Sequence, residues 1–76
     1  MTQSKTERAG YAFAVKEFGD GTPWIMLERS REGLGVLGKG FLGLELKEGT
    51  SLQEAETLAA AMRQRVSAVS YTSFLP

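Results

Sequence analysis

A small α+β domain, in which a three-stranded antiparallel sheet is followed by one C-terminal amphipathic helix packed on one sheet face, is the fold this sequence predicts. Three observations predict it. Apolar residues recur at helical spacing over residues 51–69, strand-forming residues alternate over three earlier segments, and glycine-rich or polar turns separate those segments.

The helix is the clearest element. Leu52, Ala55, Ala59, Met62, Val66 and Val69 follow one another at spacings of three, four, three, four and three, with Leu58 beside them. On a helical wheel they fill an arc of about 120°, the width of one buried face. Ser51 and Glu54 form a capping box, whose side chains satisfy two N–H groups that the first turn would otherwise orphan. The spacing resembles a heptad, but the stripe spans fewer than three heptads and contains two alanines. Packing on the chain's own sheet is therefore expected rather than a coiled coil.

The strands precede it. Residues 11–18 place Tyr11, Phe13 and Val15 on one side and Ala12, Ala14, Lys16 and Phe18 on the other. Gly19-Asp20-Gly21-Thr22-Pro23 supplies turn chemistry, and residues 24–28 then form the second arm of a hairpin. The third strand is expected over residues 41–47, with Leu42, Leu44 and Leu46 on one face. Short connections favour antiparallel neighbours, so Ile25, Leu27, Leu42, Leu44 and Leu46 are the expected covered face, together with Tyr11, Phe13 and Val15 or their alternates. Residues 1–9 lack apolar periodicity and read as a flexible N-terminal arm; residues 10–76 read as one domain ending in an extended tail over 70–76.

Size limits what such a domain can bury. A chain of 76 residues hides only about 60% of its unfolded surface, and small domains compensate with disulfides, metals or association. This chain has no cysteine and no histidine, which leaves association as the available support. The same absences remove the commonest general base and the strongest natural nucleophile, and the acids are scattered from Glu7 to Glu56. No enzyme activity and no cofactor is expected. The first ten residues are polar, and no run approaches the ~18 apolar residues of a membrane span, so a cytoplasmic protein without a membrane partner is expected.

Two glycine motifs fail on context. Residues 33–38 spell G-x-G-x-x-G and residues 33–40 spell G-x-x-x-x-G-K-G. Both phosphate-binding motifs work by joining a strand to a helix, whereas this segment runs toward a strand. A turn or bulge is the expected role of the five glycines between residues 33 and 43, with Leu34, Val36 and Leu37 folding the segment back on the core.

The functional expectation rests on the sheet face that the single helix leaves open. Trp24, Met26 and Phe41 fall on it, with Phe18 a further candidate, and Tyr71 and Phe74 in the tail add apolar surface. An aromatic cluster of that size marks an interface, and a homodimer or other self-assembly is the leading reading, ahead of a different protein partner. Nucleic-acid binding is one alternative, with Trp24 and Phe41 stacking on bases and Arg29, Arg31 and Lys39 contacting phosphates. Nine basic and nine acidic residues cancel, which weakens it. A small ligand beside residues 33–43 is the other alternative.

Overall fold

A computed structural model describes residues 3–29 and 33–75. The elements run β1 (Gln3–Ala9), β2 (Tyr11–Glu17), β3 (Pro23–Arg29), β4 (Leu42–Glu45), α1 (Leu52–Arg65) and β5 (Val69–Leu75), with a single turn of 3₁₀ helix at Gly35–Leu37. β2, β3 and β4 form one antiparallel sheet in that order, and β1 pairs with β5 in a separate antiparallel ribbon. The α+β class with antiparallel sheets and one helix is as expected. Five strands in two sheets replace the expected three in one, and the helix precedes the last strand instead of ending the chain.

The hairpin forms for local reasons. Asp20 Oδ1 accepts the Thr22 N–H at 2.9 Å, and the Phe18 N–H donates to the Thr22 carbonyl, closing the turn between β2 and β3. Its register sets Phe13 opposite Leu27 and Val15 opposite Ile25, and β4 adds Leu44 opposite Ile25 and Leu42 opposite Leu27. All of these side chains share one face, because successive residues of a strand point to opposite sides.

The helix lies on that face, over β2 and β3 rather than β4. Phe13, Ile25, Leu27 and Ala59 close the core, and Tyr11, Val15, Leu46, Met62 and Val69 pack around it. Ala55 and Ala59 are the fully buried helix positions, so small side chains let the helix backbone approach the sheet. The off-centre seat has a consequence. Leu42 and Leu44 point to the helix side yet remain 38% exposed, and Leu52 and Leu58 are exposed where the wheel places Leu52 in the buried stripe. Arg63 donates to the Phe13 carbonyl at the free edge of β2, holding the helix toward that edge.

The helix begins as its capping box requires. Ser51 Oγ accepts the Glu54 N–H and Glu54 Oε1 accepts the Ser51 N–H, each at 3.0 Å. It ends at Arg65, four residues earlier than expected, because Val66 is already extended at φ −96° and ψ 119°. Val69 keeps its expected place against the core, but as the first residue of β5. Ser51→Ala is expected to cost about 1 kcal/mol, read as a lower urea midpoint at unchanged slope. The Ser51 N–H holds the Glu54 carboxyl below its ordinary range. A carboxyl whose folded pKa is depressed stabilises above the unfolded value, near 4.3 for glutamate, and loses that contribution as pH falls through the folded value. Helical circular dichroism should therefore fall away in acid below about pH 4.3, and less steeply in Glu54→Gln.

Residues 3–9, expected as an arm, form β1. They pair with β5 from Gln3 opposite Leu75 to Ala9 opposite Val69, and the Thr6 and Thr72 hydroxyls meet at 2.8 Å across the ribbon. The glycine segment folds back through Leu34, which is buried, its N–H donating to the Tyr11 hydroxyl at 2.8 Å, and through the Gly35 N–H, which donates to Glu7 Oε2 at 2.8 Å; Leu37 is half-buried, and Val36, expected to face the core with them, is 50% exposed. A β-carbon at residue 35 would stand 2.8 Å from that carboxylate oxygen, so a side chain there would make the Glu7 carboxylate shift.

Candidate interface on the outer sheet face

The side of the sheet turned away from the helix is built by the alternate residues of the same strands. Ala12, Ala14 and Lys16 come from β2, Trp24, Met26 and Glu28 from β3, and Gly43 and Glu45 from β4. The indole of Trp24 lies across Gly43, where a β-carbon would stand 2.7 Å from Cζ3 and 2.9 Å from Cε3. Phe18, just past the end of β2, stacks on that indole with ring centroids 5.5 Å apart and planes 18° off parallel. Phe41, immediately before β4, continues the alternation onto this side and is 61% exposed.

Trp24, Met26 and Phe41 thus share one face, as expected, and Phe18 joins them. Trp24 and Met26 are half-buried by one another's neighbours, but no element of the chain packs over them among the described residues. The charges here are sparse. Lys16 pairs with Glu28 at 3.2 Å between exposed groups, a contact of small energetic weight, and Glu45 stands opposite Trp24.

Tyr71 and Phe74 lie elsewhere. Both are exposed on β5, opposite Glu7 and Ser4 respectively, and so point to opposite faces of the ribbon. Of the expected phosphate contacts, Arg29 and Lys39 line one cleft of about 310 Å³ with Phe41 and Tyr11. Arg29 also donates to the Gly38 carbonyl at 2.9 Å. Arg31 lies outside the described residues. Two cations beside an exposed ring could hold a flat anion, but Arg29 already has its acceptor and Glu28 lines the same cleft.

Among the described residues no three acids converge on a metal-sized site. Asp20 and Glu54 have depressed pKa values, and both depressions come from local backbone N–H groups, Thr22 and Ser51, in a turn and a helix cap. Among the described residues, no helix is long and apolar enough to cross a membrane.

Gly43 is the residue that sequence reasoning passed over. Its signal lies in the pattern Leu42-Gly43-Leu44, a strand that leaves out its outer side chain next to the only tryptophan. Gly43→Ala is expected to push the indole off β4, shift tryptophan fluorescence to longer wavelength and cost about 1–3 kcal/mol, the range for overpacking a fitted contact. Comparison with known proteins finds no family model, no curated protein and no solved structure that matches this chain.

Proposed function

We propose that this chain is a non-enzymatic binding module that works as a homodimer, with the outer face of its three-stranded sheet as the interface. The observation that carries this reading is that Phe18, Trp24, Met26 and Phe41 lie on a face over which, among the described residues, no element packs. Exposed aromatic and apolar side chains gathered on one sheet face are typical of interfaces, where tryptophan is a frequent anchor.

Surface area supports the same reading. The chain exposes 5900 Å², whereas a compact monomer of this length exposes about 4,600 Å², an excess of roughly 1,300 Å². A standard interface hides about 800 Å² on each partner, so one such contact fits within the excess. A second copy is favoured over nucleic acid because Lys16, the cation on this face, is offset by Glu28, and the chain has no net charge. Light scattering at micromolar concentration tests it: twice the chain mass is expected, with Trp24 fluorescing as a buried indole. A strict monomer with a solvated indole would end this reading.

A further inference from the structure

The ribbon of β1 and β5 stands off the rest of the chain. Each strand has seven residues and spans about 23 Å, and the molecule measures 46 × 24 × 22 Å, so the ribbon accounts for the long axis. The radius of gyration is 14.5 Å where a compact chain of this length would have about 11.4 Å. An isolated two-stranded ribbon is marginal in water and needs a third layer.

Its two faces differ. Glu7, Ala9, Val69 and Ser73 are half-buried on one of them, and at its base Glu7 accepts the Gly35 N–H while Val69 packs on the core. The opposite face carries Ser4, Thr6, Arg8, Ser70, Thr72 and Phe74, all exposed, with Phe74 at 72%. Glu7 and Val69 tie the ribbon's base to the helix side of the sheet, and Gly10 alone joins β1 to β2, so the ribbon cannot turn onto its own outer face.

We infer that in the homodimer each ribbon lies along the outer sheet face of the other copy, a placement that rests on the self-association proposed above. β2 and β3 also have seven residues each, so the face and the ribbon match in length at about 23 Å. Two-fold symmetry then sets the register. A ribbon leaves its own body beside Ala12 and Glu28, so its base meets the same end of the partner's face and its tip reaches the far end. Arg8 at the base comes to Glu28 of the partner subunit. Phe74 at the tip comes to the partner's Trp24 and Phe18. Phe41, at the end where the bodies meet, falls near the dyad.

The chain has no native cysteine, which makes the test direct. Ser4→Cys at the ribbon tip and Lys16→Cys at the far end of the outer face change exposed residues only. The two proteins are mixed and treated with a short bismaleimide. A cross-linked heterodimer is expected from Ser4→Cys with Lys16→Cys, and a much weaker one from Ser4→Cys with Ala12→Cys. Separately, Phe74→Ser should weaken the dimer roughly tenfold or more, as losing an aromatic anchor does, without changing helical circular dichroism. A dimer of correct mass lacking the tip-to-far-end cross-link overturns the ribbon's placement and leaves the self-association reading standing. A monomer overturns both, as does a monomer that instead binds duplex oligonucleotide at low salt.

Discussion

Ile25→Ala is expected to cost about 2–5 kcal/mol, the range for emptying a filled core position by that substitution. Among the described residues Ile25 is the one large side chain with no exposure at all, facing Val15 across one strand pair and Leu44 across the other. A domain of this size holds a total stability of about 4–11 kcal/mol, so the change removes a large part of it. Thermal unfolding followed by circular dichroism should show a melting temperature lower by at least about 8 °C, since each kcal/mol moves a small domain by about 4–8 °C. The same substitution at Val15, half-buried beside it, should cost visibly less. Equal effects at the two positions would mean that the core does not centre on β3.

Trp24→Ala is expected to weaken self-association by about 2 kcal/mol or more, at least roughly 30-fold in the dissociation constant. The expectation follows from the indole's position: it rests on Gly43, stacks with Phe18 and presents its remaining surface on the open face. Sedimentation equilibrium measures the constant directly. The fold itself should persist, because the core residues Phe13, Ile25, Leu27 and Ala59 lie on the other side of the sheet. Unchanged association in a folded Trp24→Ala protein would remove the indole from the interface. Loss of helical signal together with association would show instead that the outer face supports the monomer.

Much of the candidate interface was legible because strand alternation is strict. Once the hairpin turn set the pairing of β2 with β3, Trp24 and Met26 had to face away from Ile25 and Leu27. The seat of Trp24 on Gly43 was less legible, since it depends on how β4 aligns with β3 across the long glycine segment. Leu42 and Leu44 show a second limit. Their alternation places them on the helix side, but their exposure depends on where a helix of fixed width settles over three strands.

What the sequence by itself determined is local: the capping box at Ser51 and Glu54, the hairpin between β2 and β3, the alternation along β3 and β4, and the small alanine surface by which the helix meets the core, whereas the covered side of β2 was fixed only by tertiary packing. These follow from turn chemistry and from the periods of strand and helix, which act over a few residues. Only the tertiary structure decided that residues 3–9 form a strand, that the helix stops at Arg65, and that β5 pairs with β1 across the 59 residues between them. The reason is physical. Gln3-Ser4-Lys5-Thr6-Glu7-Arg8-Ala9 has no apolar face of its own, so its extended form depends on backbone hydrogen bonds to a distant partner, and such a partner leaves no periodic mark in the segment it stabilises.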